Sequence, residues 1–301
     1  MRRLITTTLV FLVAASAFAA GDTIRRGFSV GEGGTLRLDA DTGSITIVTG
    51  GTGVAVEVVR RASGMRAEEV LRDHDIEFEQ RGDDVVITSR VKNDLGRWFS
   101  THRVRWNIRV PARYNVDVRT SGGSIDLTGI SGTVEARTSG GAIKAGGLGG
   151  TAVMKTSGGS ITVDGAAADL SVRTSGGSIR IARAGGDLKA HTSGGGIHIE
   201  DALGRVDATT SGGSIYARLS GQPTGDSRLS TSGGGLKVSL PGDVKLDLDA
   251  RASGGGVRSD FPVTITVRGS PSRSSLRGQI NGGGPKLVLR ASGGGIRLSE
   301  L

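Results

Sequence analysis

The sequence lacks cysteine altogether. This absence excludes disulfide bonds, thiolate metal sites, iron–sulfur clusters and cysteine nucleophiles. Aromatic side chains are also scarce, with six phenylalanines, two tyrosines and two tryptophans, so aliphatic residues and alanine must supply most of any core. Glycine is in excess, at 52 of 301 residues, against a usual share of about 7%. A collagen-like chain is excluded because collagen requires glycine at every third position. The aliphatic segments argue against an intrinsically disordered chain. We therefore expect a folded protein with many tight turns.

The start of the chain has the pattern of a secretory signal peptide, which we assign to residues 1–19. A pair of arginines precedes an apolar run at 4–18, and Ala17 and Ala19 supply the small side chains of a cleavage site. An uncleaved membrane anchor is the alternative, but the run is shorter than the roughly 20 apolar residues that a spanning helix needs. We expect an exported protein of the periplasm, the cell surface or the medium, without a transmembrane segment after cleavage.

One tetrapeptide, Thr-Ser-Gly-Gly, recurs at a fixed spacing. Between copies lie two alternating apolar segments, for example Ile125 and Leu127 followed by Val134 and Ala136. Period-two alternation bounded by glycine is typical of strands, and a fixed internal period is typical of solenoids. We predict an all-β fold, a parallel β-solenoid with two short strands per 18-residue rung. The copies begin at Thr120, Thr138, Thr156, Thr174, Thr192, Thr210 and, 21 residues later, Thr231, with degenerate copies at Ala252 and Ala291.

The glycines of this repeat are predicted to be structural. Tight turns often need a positive φ, which glycine adopts without a side-chain clash, and turns stacked about 4.8 Å apart leave no room for a recurring bulky side chain. A phosphate-binding loop would need a strand, a GxxxxGK segment and a helix, which these copies lack. Replacing Gly158 by valine should therefore destabilise the solenoid. The predicted structural turn glycines are Gly122, Gly123, Gly140, Gly141, Gly158, Gly159, Gly176, Gly177, Gly194, Gly195, Gly212 and Gly213.

Three sequence features resemble the bacterial putative-adhesin family, a domain family of unknown function related to the head domains termed GIN. They are the TSGGSI-type rungs, a preceding strand that ends in VPA at residues 110–112, and a late NGGG segment at residues 281–284. The resemblance covers residues 35–301. It implies a parallel β-solenoid on an exported bacterial protein, with adhesion as the assigned role, and it supplies no catalytic residues.

The N-terminal third departs from the strict repeat. Its alternating segments and a short helix predicted over 67–72 indicate a β-rich cap with early irregular rungs at residues 20–111. Such a cap would shield the free edge of the first rung. The solenoid repeats are expected at residues 112–301, with a surface excursion near 269–284, where proline and serine accumulate. Charged residues beside the last apolar positions are expected to guard the final strand edge.

No arrangement of residues points to catalysis. His74, His102, His191 and His198 lack metal-ligand spacing, no carboxylate pair has the fixed separation of a glycosidase, and the serines of the repeat lack a histidine partner. We predict a protein that is not an enzyme and needs no metal or cofactor. Two lesser alternatives are a glycan-active enzyme, because longer-rung β-helices include polysaccharide lyases, and an ice-binding solenoid, because threonine recurs in register. The repeated threonines are expected on the same, inward face of their strand as the buried aliphatic residues, which argues against an ice-binding surface.

Basic side chains form the main candidate binding surface. The formal net charge is +9, and the residue before most copies of the repeat is basic. Alternation places these side chains on the outer face, where stacked rungs would align them. A second basic group lies within residues 97–119, where Trp106 is expected in the core and Trp98 and Phe99 in a polar loop are candidate contacts. The candidate polyanion-binding residues are Arg119, Arg137, Lys155, Arg173, His191, Arg103, Arg105 and Arg109.

These features predict a non-catalytic, adhesin-like or envelope interaction protein that displays side-chain columns on a rigid coil. The expected partners are acidic polysaccharide, lipopolysaccharide, lipid headgroups or an envelope protein, because a basic chain attracts anions. Export and the scarcity of aromatic residues argue against nucleic acid. The alternative is a periplasmic structural or regulatory scaffold without a small ligand, in which the charged faces only keep the coil soluble.

Overall fold

The computed structural model describes residues 19–64, 66–92, 100–264 and 273–301. Within these ranges the chain forms 26 strands and one short helix, α1 (Ala67–Arg72), which confirms the all-β prediction. All but the last residue of the predicted signal peptide lies outside the described residues, as do the predicted contact residues Trp98 and Phe99.

The strands form two 13-stranded sheets that enclose one hydrophobic core. Sheet A contains, in spatial order, β1 (Ala19–Phe28), β4 (Val54–Gly64), β7 (Ser100–Val110), β3 (Ser44–Thr49), β9 (Ile125–Thr128), β11 (Ile143–Gly146), β13 (Ile161–Val163), β15 (Ile179–Ile181), β17 (Ile197–Ala202), β19 (Ile215–Leu219), β21 (Leu236–Leu240), β26 (Ile296–Glu300) and β23 (Val257–Ser259). Sheet B contains, in spatial order, β24 (Ser275–Ile280), β22 (Leu246–Ala252), β25 (Lys286–Ala291), β20 (Ser227–Thr231), β18 (Val206–Thr210), β16 (Leu188–Thr192), β14 (Leu170–Arg173), β12 (Ala152–Thr156), β10 (Val134–Thr138), β8 (Asn115–Thr120), β2 (Thr35–Ala40), β6 (Asp84–Val91) and β5 (His74–Arg81).

Most neighbouring strands are parallel and superpose equivalent positions of the sequence repeat. In sheet B, Val134 pairs with Val116 on one side and with Ala152 on the other, each 18 residues away. In sheet A, Ile143 pairs in the same way with Ile125 and Ile161. Side chains alternate between the two faces of a strand, so a constant offset keeps equivalent positions of successive rungs on the same face. This register produces columns of buried side chains inside and columns of polar side chains outside.

The close approach of stacked backbones, rather than positive φ, explains the glycines of the repeat. None of the twelve glycines named above, all of them described, has a positive φ. A Cβ on Gly159 would lie 2.1 Å from the carbonyl oxygen of Gly141 in the preceding rung, which is an impossible contact. A Cβ on Gly158 would lie 3.5 Å from the carbonyl oxygen of Gly140, which is ordinary van der Waals contact. The second glycine of this copy therefore excludes a side chain, whereas the first has room for a Cβ, and destabilisation by Gly158→Val stays a prediction.

Positive φ is confined to glycines outside these copies and to one asparagine, within the described residues. Gly129, with φ 79°, and Gly147, with φ 64°, occupy equivalent turns of two successive rungs. These are turns in which an L-amino acid would be strained. Glycine is therefore required for close backbone packing at the turns of the repeated tetrapeptide and for a positive φ at these other turns.

The threonine of each copy is buried and ties its turn to the rung before it. Thr156 Oγ1 donates a hydrogen bond of 2.8 Å to the carbonyl of Gly141 and accepts one of 3.3 Å from the backbone N–H of Gly159. The same donor contact recurs at Thr138, Thr174, Thr192, Thr210 and Thr231. Since these side chains are at most 6% exposed, their hydroxyls form no surface array of the kind that ice binding would need.

Antiparallel strands cover the N-terminal end of the stack. β2 and β3 form a rung beneath β8 and β9, with Leu36 opposite Val116 and Ile45 opposite Ile125. Beyond this rung, β4 and β1 continue sheet A and β5 continues sheet B with antiparallel pairing. The two outermost strands touch through Phe28 of β1 and Phe78 of β5, whose ring centroids are 6.3 Å apart.

At the C-terminal end the spatial order differs from the chain order. β25 and β26 pair with β20 and β21, and they displace β22 and β23 to the outside. The expectation of a guarded edge at the last strand is therefore wrong, because β26 lies inside sheet A. The antiparallel strand β24 (Ser275–Ile280) covers β22 and occupies part of the range 269–284, where an excursion was expected. Residues 265–272 lie outside the described part of the chain.

Candidate polyanion-binding surface

Five of the predicted basic residues are direct neighbours on sheet B. Arg137 pairs with Arg119 on one side and with Lys155 on the other. Lys155 pairs with Arg173, which in turn pairs with His191. Adjacent strands are about 4.8 Å apart, so the backbone positions of these residues follow one another at that spacing along the stack. We refer to Arg119, Arg137, Lys155, Arg173 and His191 as the basic ladder.

Four residues of the ladder, all except His191, border a shallow groove of about 420 Å³. Four exposed serines of the repeat line its other side, so cationic side chains and hydroxyl groups share one depression. Asp39 of β2, which lies opposite Arg119 in the strand register, is at the N-terminal end of the groove. The serines are Ser121, Ser139, Ser157 and Ser175.

Carboxylates neutralise only the first part of the ladder. Arg119 lies 3.5 Å from a carboxylate oxygen of Asp117, and Arg137 forms an ion pair with Glu135. Lys155 and Arg173 are exposed and form no ion pair with any residue in the described part of the chain. In the column two residues earlier, the positions beside Lys155, Arg173 and His191 hold Val153, Ser171 and Lys189. Positive charge is therefore least compensated at the middle of the ladder.

Parallel stacking makes these cations repel one another. Two unit charges about 4 Å apart repel by about 1 kcal/mol in water, and the screening length at physiological salt is about 8 Å. Neighbouring rungs therefore interact, whereas more distant rungs are largely screened. A bound polymer with repeated negative charges would relieve this repulsion, which gives the ladder an electrostatic reason to bind polyanions.

The arginines of β7 form a separate group on sheet A. Arg103, Arg105 and Arg109 are exposed, while Trp106 between them is fully buried, as expected. Arg103 lies opposite Arg61 of β4. Arg103 and Arg105 line a hollow of about 390 Å³, whereas Arg109 lines another of about 480 Å³ with Arg25 and Arg26. The eight predicted residues thus divide between the two sheets and do not form one surface.

An arginine cluster lies farther along sheet B, where alternation also predicts outward arginines at positions 251 and 290, and sequence reasoning missed only its third member, Arg277. On the two strands after His191, the position equivalent to the ladder is occupied by Thr209 and Ser230, which are not basic. On the next two strands it is occupied by Arg290 and Arg251, which pair with each other. Asp249, almost buried, accepts hydrogen bonds from Arg277 at 3.0 Å and from Arg290 at 2.8 Å. Burial acts to raise the pKa of Asp249, but the two arginines outweigh burial and hold it below its ordinary value. Arg277 could not be placed here from periodicity, because it lies on the antiparallel strand β24.

The described residues contain neither a candidate metal site nor a helix that could span a membrane. They contain no group of three or more histidine, aspartate or glutamate side chains arranged to hold a metal ion. No helix among them has the length and hydropathy needed to cross a membrane.

Comparison with known proteins identifies a family. The family model described as Toastrack DUF4097 matches residues 34–298, and no curated protein matches the chain. A solved structure described as a putative adhesin from Bacteroides fragilis NCTC 9343 is 9% identical, covers 93% of this chain and 97% of its own, and has a TM-score of 0.39. A putative adhesin from Parabacteroides merdae ATCC 43184 is 10% identical, covers 92% of this chain and 95% of its own, and has a TM-score of 0.39. A putative lipid binding protein from Parabacteroides distasonis ATCC 8503 is 11% identical, covers 92% of this chain and 96% of its own, and has a TM-score of 0.46.

Proposed function

We propose that this chain, which belongs to the Toastrack DUF4097 family, is an exported, non-catalytic, adhesin-like protein that binds anionic polysaccharide of the cell envelope. The observation that carries the proposal is the basic ladder of sheet B, in which Lys155 and Arg173 form no ion pair among the described residues. Acidic polysaccharide and the polysaccharide of lipopolysaccharide share the required chemistry, a flexible chain of repeated negative charges.

The polymer would lie along the stack and cross the strands of sheet B. Each rung then offers one cation and, at the adjacent turn, one serine hydroxyl to successive anionic groups. Each contact is weak, but contacts along one polymer add through the high effective concentration of its linked groups. Because the ladder is held by a hydrogen-bonded sheet, its backbone needs little ordering on binding. The expected interaction is rapid, weak for each rung and sensitive to salt.

We further propose an organisation suited to export. Residues 1–19 act as the signal peptide, residues 20–111 cap the stack, and residues 112–301 form the solenoid with 18-residue rungs. The antiparallel strands β1, β4 and β5 at the N-terminal end support the assignment of a cap. The pairings that join residues 18 apart support the assignment of the rung. Kinship with GIN-type head domains stays a prediction.

Removing the uncompensated ladder charges should weaken binding to a model polyanion. We expect Lys155→Ala combined with Arg173→Ala to lower the affinity for immobilised dextran sulfate at low salt by about tenfold, and to reduce the slope of log affinity against log salt by about two. The matched control is Lys144→Ala combined with Arg258→Ala, which removes the same charge from exposed positions of sheet A that form no ion pair with any described residue. Surface plasmon resonance over a salt series measures both variants.

The control variant should lose no more than about threefold in affinity, the effect of net charge alone. Exposed substitutions usually change stability by no more than about 0.5 kcal/mol, so both variants should unfold with the wild type. Equal losses in the two variants would show that binding follows net charge and not the ladder, and salt-independent binding would contradict the proposed electrostatics.

A further inference from the structure

An exposed tyrosine stands on the outer face of sheet A, on the opposite side of the core from the ladder. Tyr216 of β19 is 50% exposed, and the only other exposed large hydrophobic side chain in the described part of the chain is Leu301. The second tyrosine, Tyr114, is fully buried. Since a tyrosine ring presents an apolar face together with a polar hydroxyl group, an outward ring on a regular strand is suited to contact with a ligand.

Polar side chains surround this ring and form a groove of about 360 Å³. The ring of His198, on the adjacent strand β17, has its centroid 6.0 Å from that of Tyr216 at an interplanar angle of 44°. Lys237 pairs with Tyr216 from the strand on the other side. Arg218, Glu200 and Ser239 complete the polar lining. We refer to these six residues as the tyrosine groove. Its volume falls within the range of about 300–1,000 Å³ of small-molecule sites.

The charges of the tyrosine groove are unevenly satisfied. A carboxylate oxygen of Glu200 lies 3.6 Å from the guanidinium group of Arg180 and 3.7 Å from the imidazole ring of His198. Lys237 and Arg218 are exposed and form no ion pair with any described residue. The groove therefore combines one aromatic face, two uncompensated cations and one carboxylate that can accept hydrogen bonds.

The solenoid repeat is interrupted beside Tyr216. The pairing of β17 with β19 shifts register between Ile199 and Ala202, and β17 has six residues where β13 and β15 have three. Such bulges redirect side chains and occur often beside binding sites. Glu200 lies within the shifted segment, so the irregularity falls in the wall of the groove.

We propose that the tyrosine groove binds a sugar ring that carries a carboxylate, a hexuronic acid residue of a glycan. The apolar C–H face of the ring would stack on Tyr216, as apolar ligand faces do on aromatic side chains. Lys237 and Arg218 would donate charge-assisted hydrogen bonds to the sugar carboxylate, and Glu200 would accept from ring hydroxyls. Because this site lies on sheet A, it does not depend on the basic ladder.

Calorimetry with tetragalacturonate tests this site in full-length protein that carries Lys155→Ala and Arg173→Ala, so that the ladder does not contribute. We expect Tyr216→Ala to lower affinity at least tenfold and Tyr216→Phe, which keeps the stacking face, to remain within about threefold of its parent. Lys237→Ala should also weaken binding of tetragalacturonate. The neutral analogue maltotetraose should bind at least tenfold more weakly than tetragalacturonate.

Unchanged affinity in Tyr216→Ala would overturn the proposal, as would equal binding of maltotetraose and tetragalacturonate. Tighter binding of uridine monophosphate than of tetragalacturonate would also overturn it, since the ring would then select a nucleobase. A loss of binding in Tyr216→Ala supports the site only if the variant unfolds at the same temperature as its parent. If Tyr216→Ala unfolds at a lower temperature than its parent, the affinity of the folded variant Lys237→Ala decides the outcome. Weaker binding of tetragalacturonate by Lys237→Ala then supports the site, and unchanged binding overturns it.

Discussion

Gly159→Ala should destabilise the protein by at least about 3 kcal/mol or prevent folding, whereas Gly158→Ala should change the free energy of unfolding by less than about 1 kcal/mol. A Cβ on Gly159 would lie 2.1 Å from the carbonyl oxygen and 2.4 Å from the carbonyl carbon of Gly141. These backbone atoms cannot move without disturbing the rung below and its bond to Thr156. Overpacking a closely fitted site typically costs about 1–3 kcal/mol and sometimes more.

Chemical denaturation of the two variants and the wild type measures this difference. The two glycines are adjacent in one turn, so the pair controls for composition and chain position. Similar destabilisation by both alanines would contradict the assignment of the close contact to Gly159. A Gly159→Ala variant as stable as the wild type would show that the rungs are not stacked with the register described.

Lowering the pH from 7 to 5 should cost the folded state about 2 kcal/mol through His74 alone. His74 is 3% exposed, and its Nε2 lies 2.6 Å from Ser89 Oγ. Burial, with the nearby charges of His102 and Arg60, lowers the pKa of His74 from 6.5 to about 4. Asp41 and Asp22 act in the opposite direction without offsetting this effect.

The direction follows from proton binding. Between pH 6.5 and about 4 the unfolded chain binds a proton at His74 that the folded protein does not, so the free energy of unfolding falls as the pH falls. The stabilisation is fully present above pH 6.5, and its total loss below pH 4 is about 3 kcal/mol. Denaturation of wild type and His74→Gln across this range measures the contribution. Parallel stability curves for the two proteins would contradict the account of His74.

Local alternation was enough to predict the fold class and the inward faces. Residues such as Val134 and Ala136 are two positions apart on one strand. Side chains two positions apart point to the same face of a strand, so both are buried when that face packs on the core. The outward position of Lys155 and the inward position of Trp106 follow from the same rule, and the structure agrees with both. The fixed repeat also implied which rungs stack, since a constant offset keeps like positions together.

Strand order and turn geometry were harder to predict because alternation does not encode them. Copies of a repeat present similar pairing edges, so β25 could replace β22 beside β20 without altering either apolar pattern. The distinction between Gly158 and Gly159 depends on contacts with a neighbouring rung, which one turn alone does not specify. The register shift between β17 and β19, which falls in the wall of the groove at Tyr216, is a local irregularity that a strict period cannot anticipate.

Lysine acetylation of the wild-type protein, with and without dextran sulfate, tests most directly whether polyanions bind along the ladder. Lys155 of β12 and Lys144 of β11 are both exposed and close in the chain, but they lie on different sheets. Mass spectrometry of the labelled peptides compares the two within one folded molecule. The ladder predicts that dextran sulfate slows acetylation of Lys155 at least about fivefold more than that of Lys144, since a bound anion shields the amine. Equal protection of Lys144 and Lys155, or no protection of Lys155, would contradict it.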